Sequence, residues 1–222
     1  MDFSHQRVLE GAMFEAVRAR SPLLGKQIIN TGSFSVLFEG ETAASVHRLS
    51  SDNATHDFAA KARQLGLPGV VGVLADYGAV ALYDESDYGA EYLWLAHLER
   101  LESLQDYPAQ RAAVAHLLVH LTDCDDGDLL GTQADKCNLL TKLNDAPVEP
   151  YTQQAVEAMK RLLPEYIRNT DVAIDLEISN FMVRASTGDV VLSDPLSGLA
   201  DVSQAHHQRL LDEVIVIADT LG

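Results

Sequence analysis

Cysteine is scarce in this chain, with Cys124 and Cys137 the only two. Their separation fits neither a Cys-x-x-Cys pair nor a zinc knuckle, which argues against a disulfide scaffold and predicts reduced thiols in a cytoplasm. Long apolar runs are missing too, so no segment is expected to cross a bilayer. The opening residues, MDFSHQRVLEGAMF, lack a basic stretch followed by an apolar one, and no secretory signal is expected. Nor is there a G-x-S-x-G elbow, or a cysteine placed with a histidine for nucleophilic work. Positive charge is in short supply: 16 Lys and Arg face 33 Asp and Glu, a formal net charge of -17. Such a surface repels phosphate backbones and argues against direct nucleic-acid binding. It does not exclude a nucleotide, because a divalent cation reverses the local field. Acidity also suits a protein that covers a basic, DNA-binding face of a partner; solubility alone is the plainer explanation.

What is present is enough for a core. The 222 residues are 47% hydrophobic and suit one large domain or two small lobes. Val8, Leu9, Met13, Phe14 and Val17 predict a helix over 7–20, closed by SPLLG. Ile28 and Ile29, Val36 to Phe38, and Val46 to Leu49 predict three strands, punctuated by Gly32 and Gly40. A short helix from Asn53 stops at Gly66 and Pro68. VVGVLADYGAVALY reads as a hairpin turning near Gly78, and AEYLWLA as one more strand. From there the period changes. HLERLESLQDYP reads as a connector, and RAAVAHLLVHL as a helix too apolar all round to lie on a surface. TQQAVEAMKRLLPEYI carries an apolar face that Pro164 should kink or shorten, and a last amphipathic helix is expected after Ser203. The fold class is therefore α+β, with a β-rich part over 1–98 and a helical part over 99–222.

Between those helices lies DLEISNFMVRASTGDVVLSDP, where Asp175, Asn180 and Asp194 surround two strand-like runs. Phosphoryl transfer needs such a set: a carboxylate near the attacking hydroxyl, and an Asn amide and an Asp carboxylate as oxygen ligands for Mg²⁺. The bland alternative is that Asp and Asn simply suit turns and caps. The segment resembles the catalytic loop and metal-binding hairpin of the protein-kinase fold. DLEISN matches its Asp-x-x-x-x-Asn, and SDP stands where kinases carry Asp-Phe-Gly. Upstream, NTGSFSVLF is similar to a phosphate-covering loop, and SVHRL falls at the strand that bears the nucleotide-binding lysine. The family it most resembles is the early serine/threonine protein kinase of short-tailed coliphages, over roughly residues 26–200. That resemblance implies a two-lobed fold, with a small β-rich lobe and a reduced helical lobe. It implies Asp175 as the catalytic carboxylate, and Asn180 and Asp194 as the Mg²⁺ ligands. Gly32, Ser33 and Phe34 would form the turn over the triphosphate, Arg48 would take the lysine's place, and Glu99 to Leu101 would pack on the adenine. ATP and Mg²⁺ are the implied cofactors. The implied partner is a host protein of the transcription, translation or defence machinery, met in the cytoplasm of a bacterial host.

The chain departs from that pattern in several places. Arg48 exchanges a compact ammonium for a planar fork. Asp57 is the nearest acidic residue to pair with it, since the short helix has no glutamate. Glu177 adds negative charge beside the site, and few residues follow Asp194. These departures leave open a catalytically inactive kinase-like protein that binds and inhibits a host protein. A small-molecule kinase of the aminoglycoside type is a third reading. DCDDGDLLGTQAD, which opens at Asp123, does not fit the calcium loop, because its glycine comes one place early and no glutamate closes it. It is read as an acidic loop. His116 and His120 share a helical face without a third ligand, and adjacent His206 and His207 point apart.

Overall fold

The computed structural model describes residues 9–86 and 89–200, a mixture of α and β structure in two compact units. One unit holds 9–56 and 74–99, the other 57–73 and 100–200. The terminal helix expected after Ser203, with His206 and His207, lies outside the described residues. Among those described, no helix is long and apolar enough to cross a membrane.

The first unit is built on a five-stranded sheet. Its strands are β1 (Ile28–Thr31), β2 (Ser35–Glu39), β3 (Ser45–Ser50), β4 (Val73–Ser86) and β5 (Gly89–Glu99), in the order β1-β2-β3-β5-β4. Residues alternate between faces along each strand. Val36 and Phe38 of β2 stand beside Leu49 and His47 of β3, and these beside Leu95 and His97 of β5. That face packs with Phe14 of α1 (Ala12–Arg18) and with Leu23, the Phe14 and Phe38 rings lying 6.4 Å apart. Burying such side chains stabilises by about 1.5–3 kcal/mol each. At the same face His47 and His97 stack at 4.5 Å, and the Nδ1 of His47 and the Nε2 of His97 have no hydrogen-bond partner among the described residues. Helix α2 (Asn53–Leu65) is started by Asp52, whose Oδ1 accepts from the N–H groups of Ala54 (2.8 Å) and Thr55 (3.4 Å).

The hairpin expected near Gly78 does not form. β4 is one long strand through Gly78, which takes φ +70° while its N–H donates to Asp76 Oδ1 at 2.9 Å. One residue in the left-handed region makes a local irregularity, and reversing the chain needs more.

The second unit combines helices α3 (Pro108–Thr122), α4 (Gln133–Asn144) and α5 (Gln153–Tyr166) with six short strands. These are β6 (Glu102–Ser103), β7 (Leu129–Leu130), β8 (Val172–Asp175), β9 (Phe181–Val183), β10 (Val190–Leu192) and β11 (Leu196–Gly198). They form two three-stranded sheets, β10-β9-β6 and β11-β8-β7. Helix α3 buries Val114, Leu117, Leu118 and Leu121 along one stripe, while Val119 is 47% exposed, so the expectation of burial all round is corrected. Helix α5 continues past Pro164 and ends at Tyr166. Helix α4 was not expected from the sequence, although Thr132 caps it by accepting from Asp135 N–H at 3.2 Å.

Two charged clusters brace this unit. Lys136 of α4 is almost fully buried and donates to the carbonyls of Asn169 (2.8 Å) and Val172, at the entry to β8. Burial pulls its ammonium pKa down, opposed by Asp171. Tyr166 donates to Asp57 at 2.7 Å; Lys61 pairs with Asp57 (2.9 Å) and Glu165 (3.1 Å) and stands 4.8 Å from the Tyr166 ring centre. Burial, with Asp57 next, pushes the Tyr166 phenol far above its ordinary range. Asp57, the acid considered as a partner for Arg48, is thus engaged with Lys61 and Tyr166.

Candidate active site

Asp175, Asn180 and Asp194 lie in the second unit, and main-chain bonds bring them together. β8 lies between β11 and β7, so its last residue, Asp175, is aligned with Leu129, and its N–H donates to the Pro195 carbonyl at 2.9 Å. The residue after Asp194 is therefore bonded to Asp175 itself. Beyond Asp175 the chain is extended through Glu177 and then makes a 3-10 turn over Ile178–Asn180. The Asn180 carbonyl accepts from both the N–H (2.9 Å) and the Oγ (3.0 Å) of Ser193, which closes the open end of the β9–β10 hairpin. Asn180 Nδ2 donates to the Asp175 carbonyl at 3.3 Å, and this leaves the amide oxygen for another partner.

The acidic loop holds this segment from the other side. Leu176 N–H donates to the Asp128 carbonyl (3.1 Å) and Ile178 N–H to the Asp126 carbonyl (2.8 Å). Gly127, at φ +84°, lies so close that a Cβ there would fall 1.9 Å from the Leu176 carbonyl oxygen. Loop 123–128 is thus a main-chain clamp. The sequence showed the signal, a glycine inside an acid run, but it carries meaning only once Leu176 is known to lie beneath it.

The electrostatics single out Asp175. Burial pushes its carboxyl up to about 6, with the charges of Glu177 and Asp194 adding to the rise; the Glu177 N–H and the Asn180 side chain oppose it. A half-buried carboxyl titrating near neutrality is fit to accept a proton. Asn180 and Asp194 offer hard oxygen donors of the kind Mg²⁺ takes. Among the described residues no three His, Cys, Asp or Glu side chains form a metal cluster, so a cation here would rest on these two ligands, water and phosphate.

Of the other expected residues, Gly32, Ser33, Phe34, Arg48 and Glu99 belong to the first unit and Leu101 to the second. Gly32, Ser33 and Phe34 form the tight turn between β1 and β2, closed by Gly32 N–H to the Ser35 carbonyl at 2.8 Å. The Phe34 carbonyl is held by Ser50 Oγ and Ser51 N–H, each at 3.0 Å. Gly32 does not take positive φ, and a Cβ would find only ordinary contact with Ser35 at 3.5 Å. Arg48 is buried in the middle of β3, aligned with Leu37 and Ala96, on the face opposite Phe38 and Leu49. Glu99 is the last residue of β5, and Leu101 lies between β5 and β6.

No family model matches this chain, and no curated protein matches it. Among solved structures, the choline kinase LicA from Streptococcus pneumoniae is similar over 90% of this chain and 79% of its own, at 12% identity and a TM-score of 0.32. A similarity that low carries no argument about this protein.

Proposed function

We propose that this protein is a kinase-like phosphotransferase that moves the γ-phosphate of ATP to a serine or threonine hydroxyl of a host protein, in the manner of the phage kinases it resembles. The observation that carries the reading is the convergence of Asp175, Asn180 and Asp194 around the bond between Asp175 N–H and Pro195 carbonyl. Asp175, with its raised pKa, would orient the acceptor hydroxyl and take up its proton as the new O–P bond forms. Asn180 and Asp194 would hold Mg²⁺, which when bound with ATP supplies charge neutralisation on the phosphates. Arg48 would stand in for the lysine, the Ser33–Phe34 turn would cover the triphosphate, and Glu99 to Leu101 would flank the purine. The test is incubation with labelled ATP, Mg²⁺ and bacterial lysate. Transfer by wild type and none by Asp175→Ala is expected; no transfer by wild type, or equal transfer by the variant, refutes the catalytic reading.

A second reading, a non-catalytic kinase-like protein that binds a basic host surface, is favoured by one observation: Asp57 is committed to Lys61 and Tyr166. The two readings separate on thermal stability with Mg-ATP. Ligand at a hundredfold excess over Kd stabilises a binding protein by about 2.7 kcal/mol. No shift, together with a salt-sensitive protein complex that survives Asp194→Ala, selects the second.

A further inference from the structure

The first unit carries a cavity that the phosphotransfer reading does not use. It opens between α1 and the sheet face bearing Leu95, opposite the face of Arg48, and holds about 280 Å³. Its walls are mostly apolar and include Met13, Val17 and Val80. Three polar residues, Arg20, Ser21 and Tyr77, also line it. Among the described residues, none of these three side chains has a hydrogen-bond or ion-pair partner. Neighbouring cations are satisfied, Arg18 by Glu15 at 3.9 Å and Lys26 by Glu41 at 3.4 Å. In a chain with twice as many acids as bases, a half-buried arginine that lines an apolar cavity and has no ion-pair partner among the described residues is complementary to an anion from outside.

We propose that this pocket binds a small amphipathic carboxylate, with Arg20 receiving the carboxylate and Met13, Val17 and Val80 enclosing the apolar body. Apolar walls with a few polar groups that fix orientation are the general form of a small-molecule site. The volume sits just below the ~300–1,000 Å³ of drug-sized sites, which limits the occupant to roughly ten non-hydrogen atoms. Charge narrows the head group. One guanidinium matches the singly charged, planar carboxylate through two parallel N–H donors. A phosphate would bring more charge than this single cation offsets. Tyr77 and Ser21, also on the lining, carry neutral hydroxyl donors.

Octanoate serves as the probe, titrated into the full chain by calorimetry beside octanol, octylammonium and acetate. Octanoate is expected to bind, octanol at least about tenfold more weakly for want of the charge-assisted bonds, and the other two not detectably. Arg20→Gln should lower octanoate binding to the level of octanol. Val17→Trp, which fills the cavity, should remove both. If Val17→Trp does not fold, Arg20→Gln still decides, since it alters a half-buried side chain with no ion-pair partner among the described residues. No binding of octanoate overturns the proposal, as does octanol binding equally well or Arg20→Gln binding octanoate unchanged. None of these outcomes depends on ATP.

Discussion

The main-chain N–H of Asp175 donates to the Pro195 carbonyl across 2.9 Å, and this bond joins the end of β8 to the residue that follows Asp194. Residues far apart in the chain thereby share one small volume. A side-chain change at Asp175 or Asp194 leaves that bond in place, so the chemistry can be altered without dismantling the arrangement.

Asp175 should show itself in both activity and stability. Phosphate transfer is expected to fall as pH drops through about 6, where Asp175 takes up its proton, and Asp175→Asn should abolish transfer at every pH. The stability effect runs the other way. A carboxyl whose folded pKa lies above its unfolded value favours the fold fully below that unfolded value and loses this contribution as pH rises through about 6. Asp175→Asn should therefore gain about 1–2 kcal/mol over wild type at pH 8, after allowance for solvent screening, and little at pH 4. Urea titrations at the two pH values measure it; an equal difference at both would refute the assignment.

Gly32→Ala separates fold from function. Since Gly32 has no positive φ and a Cβ would touch Ser35 only at 3.5 Å, stability should change by less than about 0.5 kcal/mol. If the turn covers a triphosphate, the added methyl should weaken Mg-ATP binding by about tenfold, measured by calorimetry. Unchanged nucleotide affinity would remove this turn from the site.

Gly127→Ala should behave oppositely. The residue would need φ +84° and would drive a Cβ into the Leu176 carbonyl, so a loss of about 3 kcal/mol or more is expected in denaturant unfolding. Gly131→Ala is the control, because a Cβ there meets nothing within 4 Å. Similar stabilities for the two variants would show that loop 123–128 does not clamp the segment.

The stacked pair His47 and His97 predicts acid sensitivity. Burial lowers the His47 pKa, and His97 and Lys26 also disfavour its charge, while Glu41 at 3.2 Å opposes them; the Tyr77 ring lies 6.3 Å away. A depressed folded pKa gives stability that is present above the unfolded value near 6.5 and is lost as pH falls. The melting temperature of His47→Gln should accordingly drop less than that of wild type between pH 7 and pH 5. A parallel drop in both proteins would refute the role.

How far the sequence disclosed this structure depended on range. The β1–β2–β3 succession, the Gly32 turn and the β9–β10 hairpin were legible because strand alternation and turn residues act over a few positions. Asp175 and Asn180 were legible as a spaced pair for the same reason, their contact lying within one short loop. Gly78 misled, since its left-handed conformation serves equally for a turn or for an irregularity in a continuing strand. Helix α4 was missed because an acid run and Gly131 precede it, although Thr132 and Asp135 carry a capping pattern. Lys136 had no signal at all: a lysine in sequence reads as solvated, and only the carbonyls of Asn169 and Val172 account for its burial.

The clamp formed by residues 126 and 128 grips the segment through peptide groups, and only the Asp128 carboxylate supports it, by accepting from the Leu129 N–H at 2.8 Å. A descendant of this chain could exchange Asp126 for another residue and keep the grip, provided a glycine stayed at position 127. The inheritance of this corner would then be written in spacing and one missing side chain, where comparison by residue identity has nothing to count.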